Sequence, residues 1–199
     1  MKSIIIGAGK VGFSIAQLLS SENHDVVVIE EDEERAILVD ELLDVQVIHG
    51  SGASWRTLEA AGVKSAEMVI AVTEIDELNM IACLLAKQYG AKTTVARVRS
   101  TDYVETPHFS PEALLGIDLI INPERVTAQE IAKIVKNPEA LECDYYANGR
   151  VQLMAILVEG NSPVAGLKLK ELDTSKYVIV SIVRKHKMIV PSGEDEILS

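Results

Sequence analysis

Apolar runs and helical repeats alternate through the first two thirds of the chain. β-Branched runs such as Ile4–Ile6 and Val26–Ile29 are typical of strands that a parallel sheet buries on both faces. Between these runs, apolar residues recur at the spacing of a helix. The predicted strands span residues 2–6, 25–30, 45–48, 68–73, 93–99 and 117–121. The predicted helices span residues 11–19, 33–43, 55–61, 77–89 and 123–136.

This alternation predicts an α/β fold in which helices connect parallel strands. Six strands joined by crossovers are the layout of a doubly wound, Rossmann-like sheet. Such sheets bind ligands at the carboxyl ends of their strands, so we expect a site among the residues that directly follow a strand. The helix over 77–89 is expected to bury an apolar face. That face would consist of Leu78, Ile81, Leu84 and Leu85.

The pattern changes after residue 136. Asn137-Pro138 breaks the last regular helix, because the residue before a proline disfavours helical geometry. Beyond it we predict strands within 149–160, 177–183 and 188–190. The sequence therefore predicts two domains, 1–136 and 137–199, of which the second is a small α+β domain. We expect this second domain to be incomplete, since no closing strand follows it, and it is too short for a normal substrate domain.

Composition narrows the choice of function. The 199 residues carry a net charge of −11, which argues against nucleic acid and against a basic patch on anionic lipid. No apolar stretch nears the roughly 18 residues of a membrane helix, so we expect no insertion into the membrane. Cys83 and Cys143 lack metal-ligand spacing. With no signal peptide ahead of the first strand, we expect a reducing cytoplasmic location.

A glycine motif follows the first strand directly. It reads Gly7-Ala8-Gly9-Lys10-Val11-Gly12 and leads into the first helix, which is the context that gives G-x-G-x-x-G its meaning. The first glycine permits a tight turn, the second lets a diphosphate approach the backbone, and the third lets helix and strand pack closely. The helix start would supply N–H groups to the phosphates. Lys10 would either contact a terminal phosphate or remain solvated.

An acid ends the second strand. Glu30 lies 18 residues after Gly12, near the distance expected for a carboxylate that binds the ribose diol of a dinucleotide. A carboxylate there would repel the 2′-phosphate of NADP, so NAD is favoured. The neighbouring acid Glu31 is a further candidate. The ends of the third and fourth strands add Ser51, Gly52, Ala53 and Thr73.

Several of these segments together resemble one family. They are the glycine motif, Glu30, and residues 49–52, 70–80 and 96–104. In this order and combination they are similar to the TrkA family, nucleotide-binding subunits of the RCK/KTN group that serve potassium uptake. The resemblance runs to about residue 190. It implies an RCK N-domain over 1–136 and part of an RCK C-terminal domain over 137–199.

The resemblance also implies roles for residues beyond the glycine motif and Glu30. Thr73 and Glu74 would lie near the middle or nicotinamide side of the ligand, and Arg97 would reach a phosphate or the second ribose. Arg99 is the weaker of the two arginine candidates, since a surface salt bridge explains it equally well. The expected ligand is NAD(H), with ATP, ADP or AMP as alternatives.

The family resemblance implies partners as well. RCK domains dimerise partly through the helix after the sixth strand and assemble into a tetramer or larger ring. This ring lies at the inner face of the membrane under a TrkH- or TrkG-like potassium-translocating protein, whose pore the ligand gates. TrkA subunits commonly carry two RCK halves and this sequence has one. The chain is therefore expected to be part of a longer protein or to pair with a second chain.

The rival hypothesis is an NAD-dependent oxidoreductase. It needs a proton-transferring group beside the nicotinamide. The four histidines, His24, His49, His108 and His186, are not at that position in the predicted sheet; His49 is nearest but belongs to the adenine side. The sequence contains no Tyr-x-x-x-Lys pair, no nucleophile triad and no metal cluster. We therefore expect a sensor rather than an enzyme.

Overall fold

The computed structural model describes residues 1–104, 110–147, 149–185 and 187–198. The expectations at His108 and His186 lie outside these residues. Two compact units make up the chain, Met1–Gln129 and Glu130–Ser199. This division falls inside the last helix of the first unit, and the predicted domain limit at 136/137 stays a prediction.

The first unit is built on a six-stranded parallel sheet, which confirms the predicted fold class. Its strands are β1 (Lys2–Ile6), β2 (Asp25–Glu30), β3 (Gln46–His49), β4 (Met68–Ala71), β5 (Thr93–Arg97) and β6 (Leu119–Ile121). They lie in the order β3-β2-β1-β4-β5-β6, and every neighbouring pair is parallel. The chain reverses direction across the sheet between β1 and β4. A crevice at the carboxyl ends is expected at such a point.

Helices connect these strands at nearly the predicted positions. They are α1 (Lys10–Ser21), α2 (Glu33–Leu42), α3 (Trp55–Ala60), α4 (Asp76–Gln88), α5 (Thr101–Val104), α6 (Pro111–Leu115) and α7 (Pro123–Lys136). A 3₁₀ turn, Val63–Ser65, follows α3. The short helices α5 and α6 lie in a stretch for which the sequence predicted no helix. Among the residues described, no helix has the length and apolar character needed to cross a membrane.

The core lies on both faces of the sheet, as the continuous β-branched runs predict. On β1, Ile4 and Ile6 belong to one buried cluster and Ile5 to another on the opposite face. On β2, Val27 and Ile29 join the first cluster. This alternation follows from the two-residue repeat of a strand, and it explains the apolar runs Ile4–Ile6 and Val26–Ile29; Ser3 of β1 is the buried polar exception.

The buried face of α4 differs from the prediction. Ile81, expected in the core, is 44% exposed, while Ala82, Cys83 and Ala86 are fully buried. Small side chains let the helix pack closely on the sheet. Leu78 and Leu85 pack against the same core at partial burial, whereas Ile81 faces outward. Cys83 is a buried free thiol, and this burial raises the pKa of the thiol to about 12.

The second unit has antiparallel strands. β7 (Ala140–Tyr146) pairs with β8 (Val151–Ile156), and β9 (Ile182–Arg184) pairs with β10 (Lys187–Ile189). The sequence missed β7, and the strand predicted over 177–183 was wrong in extent, since only its last two residues pair. An isolated antiparallel bridge joins Lys168 to Glu196. The small α+β character of this region is confirmed.

Candidate nucleotide-binding site

A cavity of ≈ 510 Å³ opens at the carboxyl ends of β1, β2, β4 and β5. This volume is within the range of small-ligand sites. Most of the sequence-predicted site residues line it. They are Gly7, Gly9, Lys10, Val11, Glu30, Glu31, Gly52, Thr73, Glu74, Arg97 and Arg99. Ala8, Gly12, Ser51 and Ala53 are not part of the lining.

The glycine turn has the geometry that the motif predicts. Gly7 adopts φ +95°, a conformation that L side chains rarely adopt. At Gly12 a Cβ atom would lie 1.8 Å from the carbonyl oxygen of Gly7, so only glycine permits this approach of α1 to the turn. At Gly9, by contrast, a Cβ would meet no atom within 4 Å. Gly9 therefore leaves open space on the cavity side, where a diphosphate can approach the backbone.

The start of α1 directs N–H groups toward this space. The Phe13 N–H bonds to the Gly9 carbonyl at 2.9 Å and begins the helical ladder. The N–H groups of Lys10, Val11 and Gly12 precede that ladder and have no carbonyl one turn earlier to accept them. Together with the positive end of the helix dipole, these N–H groups suit an anion.

Glu30 holds the glycine turn as well as facing the cavity. Its side chain is only 6% exposed. Oε2 accepts the Ala8 N–H at 2.5 Å, and Oε1 accepts the N–H groups of Glu31 and Asp32, each at 2.9 Å. A carboxylate offers about four acceptor positions, so one position on Oε2 is left for a ribose hydroxyl. The same contacts explain why Ala8 lies behind the lining: its N–H belongs to Glu30.

Thr73 and Arg97 meet at the far side of the cavity. The Arg97 guanidinium donates through Nη1 to the Thr73 carbonyl at 3.2 Å. Its Nε is buried and has no hydrogen-bond partner among the residues that the structure describes. An unpaired buried N–H is costly, and the rest of the cationic side chain lines the cavity. Arg97 therefore has the properties of an anion-binding side chain.

Arg99 lies on the same side, beyond the end of β5. Its Nη2 donates to the Glu74 carbonyl at 2.5 Å, and its Nε lies 3.9 Å from a carboxylate oxygen of Asp76. The arginine is exposed and lines the cavity. Both alternatives from the sequence thus have a structural basis, since Arg99 faces the cavity and also has an acidic neighbour.

Sequence reasoning missed some of the lining. Arg35 lines the cavity from the first turns of α2, and Gly50 lines it from the loop after β3. That loop was predicted. Within it the Ser51 Oγ accepts the Ala53 N–H at 3.4 Å, and the roles of Ser51 and Ala53 toward a ligand stay predictions. The available signal for Arg35 was its position one turn into the helix that follows Glu30.

The described histidines lie away from the far side of the cavity. His49 Nε2 is hydrogen-bonded to the Glu31 carbonyl at 3.0 Å, on the Glu30 side, and His24 lies 3.6 Å from Glu22. Neither lines the cavity. Glu77, on the first turn of α4, accepts a hydrogen bond from the Tyr103 hydroxyl of α5 at 2.6 Å. This bond lowers the pKa of Glu77 and raises the pKa of Tyr103.

Sheet order, glycine turn and carboxylate after β2 together define a Rossmann-like nucleotide-binding domain. Family models give the particular family. The TrkA-N domain model matches residues 3–123, and the TrkA-C domain model matches residues 153–199. The chain belongs to the TrkA family.

Curated relatives agree with this assignment. The Trk system potassium uptake protein TrkA homolog 2 of Methanosarcina mazei is 38% identical over 203 residues, which cover 98% of this chain and 44% of that protein. The chain thus spans about half the length of this relative and of several other curated relatives that it matches. A TrkA homolog of Methanothermobacter thermautotrophicus is 33% identical over 195 residues, covering 98% of this chain and 88% of the relative.

Solved structures share the fold. The GsuK channel bound to NAD superposes with a TM-score of 0.66 at 20% identity, covering 99% of this chain and 35% of that one. The Kef C-terminal domain of Shewanella denitrificans in an AMP-bound form has a TM-score of 0.54 at 19% identity, covering 69% of this chain and 81% of that one. At such identities the likeness establishes the fold alone.

Proposed function

We propose that this chain is the nucleotide-binding part of a regulatory subunit in a potassium uptake system. It binds NAD(H) in the cavity of the first unit. Binding changes the shape of the assembly and thereby gates a TrkH- or TrkG-like potassium-translocating membrane protein. The subunit acts from the cytoplasmic face of the membrane by binding, without turnover of the nucleotide.

One observation carries the proposal: three kinds of nucleotide-binding group face a single cavity. These are the N–H groups at the start of α1, the remaining acceptor position of Glu30, and the cationic side chain of Arg97. They correspond to the diphosphate, the adenosine ribose, and, for Arg97, either one of the phosphates or the second ribose. The names of the curated relatives support the link to potassium uptake. The NAD in one structural neighbour and the AMP in another support the ligand class.

The proposed ligand contacts retain the set predicted from sequence. Gly7, Ala8, Gly9, Lys10, Val11 and Gly12 surround the diphosphate, with Ala8 and Gly12 shaping the turn from behind. Glu30 and Glu31 face the adenosine ribose, with Ser51, Gly52 and Ala53 in the adjoining loop. Thr73, Glu74, Arg97 and Arg99 face the far half of the ligand. ATP, ADP and AMP are the alternative ligands, since Lys10 lines the cavity where a terminal phosphate would lie.

The proposed assembly is a homodimer that forms a tetramer or larger ring. Exposed apolar side chains on α7 support it: Ile131, Ile134 and Val135 are 56%, 69% and 73% exposed. A single chain gains nothing from presenting such a row to water. The proposed domains are a nucleotide-binding domain over 1–136 and an RCK C-terminal domain over 137–199.

Calorimetric titration of the chain with NADH, NAD⁺, ATP, ADP and AMP tests the binding function. We expect saturable binding of NADH and a loss of affinity in Arg97→Ala. The control is Lys64→Ala, which removes an exposed cation that pairs with Glu59 on the surface. No heat with any nucleotide at millimolar concentration would refute the proposal.

Incubation with NADH and a panel of carbonyl compounds tests the alternative, an NAD-dependent oxidoreductase. The regulatory proposal expects NADH to remain unoxidised over hours, because no described histidine lines the cavity to transfer a proton. Steady NADH oxidation at enzyme-like rates would establish the oxidoreductase instead.

A further inference from the structure

Asn79 is a buried amide on α4 whose hydrogen-bonding capacity is fully used. It is 0% exposed. Its Oδ1 accepts the Thr73 N–H at 2.9 Å and the Thr73 hydroxyl at 2.7 Å. Its Nδ2 donates to the carbonyls of Thr73 and Arg97 at 3.1 and 2.9 Å. An amide has two acceptor and two donor positions, and here all four are occupied by groups whose own roles are fixed, which also determines the amide orientation.

These bonds join the two segments that form the far side of the cavity. Thr73 follows β4, and Arg97 ends β5. Asn79 binds the backbone of both, and the Arg97 side chain returns to the Thr73 carbonyl at 3.2 Å. The result is a closed triangle of three residues, two of which line the cavity. Asn79 itself does not line it.

Asp76 makes a second connection one turn earlier on the same helix. Its Oδ2 accepts the N–H groups of Arg99 and Ser100 at 2.9 and 2.8 Å, and the residue is 9% exposed. Thus the first turns of α4 hold the chain after β5 at two points, next to Arg97 and next to Arg99. Helix α4 therefore fixes the backbone from which both cavity-facing arginine side chains extend.

We propose that Asn79 is a positioning residue of the nucleotide site: it holds Thr73 and Arg97 in register, so that the Arg97 guanidinium meets the ligand's second phosphate or ribose. This inference rests on the proposed nucleotide binding. Burying an amide has a desolvation cost unless all of its hydrogen bonds are made. If packing alone were needed under α4, an apolar side chain would fill the same space without that cost. The particular use of all four bonds on two ligand-facing segments assigns the residue to the site.

The proposal makes a distinction between ligands that a purely structural role does not make. NADH would span the glycine turn, the Glu30 side and the Arg97 side, whereas AMP would occupy only the first two. Displacing Arg97 therefore lowers the affinity for NADH more than the affinity for AMP. A general loss of stability lowers the folded fraction and so lowers the apparent affinity for both ligands by the same factor.

The experiment measures NADH and AMP affinities by calorimetry for the native chain and Asn79→Ala, at a temperature where both are folded. We expect Asn79→Ala to lose about tenfold in NADH affinity and no more than about twofold in AMP affinity, the size of one hydrogen bond to a charged ligand. If Asn79→Ala does not melt cooperatively, Asn79→Asp replaces it. That variant keeps the shape, but its second oxygen opposes the Thr73 and Arg97 carbonyls, and the same preference is expected.

Thr94→Val is the matched control. Thr94 is also 0% exposed, lies on β5, and joins the sheet to Asp118 through its N–H and hydroxyl at 2.7 and 3.1 Å, but it lies at the opposite end of the strand from the cavity. We expect it to lower stability and leave the ratio of the two affinities unchanged. Equal losses for both ligands in the Asn79 variants, or the same preference in Thr94→Val, would overturn the inference. A native chain that binds neither ligand would overturn the proposed function, and this inference with it.

Discussion

Replacement of Glu30 by alanine tests the link between the glycine turn and the ligand. The carboxylate accepts three backbone N–H groups, from Ala8, Glu31 and Asp32. At a net value of roughly 1 kcal/mol each, Glu30→Ala would lower the free energy of unfolding by about 3 kcal/mol. The one acceptor position that remains would form a single charged hydrogen bond to ribose, so we expect NADH affinity to fall by about tenfold or more.

The assay combines urea unfolding with calorimetric NADH titration of each variant. Glu34→Ala is the control, because it removes an exposed acid from the first turn of α2 and so changes the charge nearby without touching the turn. Glu30→Gln separates the two roles of Glu30. It keeps one oxygen for Glu31 and Asp32 but presents an amide NH₂ to the Ala8 N–H, and we expect an intermediate stability.

The reasoning would be refuted if Glu30→Ala had the same urea midpoint of unfolding as the native chain and bound NADH with the same affinity. A loss of stability with unchanged affinity would limit Glu30 to holding the turn. The ribose would then depend on other groups of the cavity.

Further predictions concern the turn and the opposite end of the sheet. Gly12→Ala should lower the free energy of unfolding by about 3 kcal/mol, because its Cβ would lie 1.8 Å from the Gly7 oxygen. Gly9→Ala should change the free energy of unfolding by no more than about 0.5 kcal/mol but lower the affinity for NADH. Native NADH affinity in Gly9→Ala would contradict the proposed phosphate position. The Lys87 ammonium lowers the pKa of Asp118, so Asp118 stabilises the fold above its unfolded pKa of about 3.9 and loses this effect as pH falls through its lower folded value. Unfolding curves should therefore show the native chain and Asp118→Asn converging in stability below about pH 4, whereas a constant difference would exclude this origin.

The sheet, the glycine turn and the acid at the end of β2 were predictable from the sequence alone. Each is a local signal. Strands buried on both faces need uninterrupted apolar residues, as in Val26–Ile29, and the φ of +95° at Gly7 needs a residue without a side chain. The role of the Glu30 carboxylate was predicted from its position at the end of a strand. These features depend on neighbours within a few positions, so a single chain records them.

Which side chains contact one another became known from the tertiary packing. The hydrophobic pattern of α4 indicated burial of Ile81, but close packing on the sheet buries Ala82, Cys83 and Ala86 and leaves Ile81 exposed. The pairing of Asn79 with Arg97 joins residues 18 positions apart, and the choice of Gly50 and Gly52 over Ser51 depends on how the loop turns above β1. Such contacts are set by distances between segments remote in sequence. Polarity along the chain indicates burial only in part, since apolar Ile81 is exposed and polar Asn79 is buried, and the fold determines the partner of each residue.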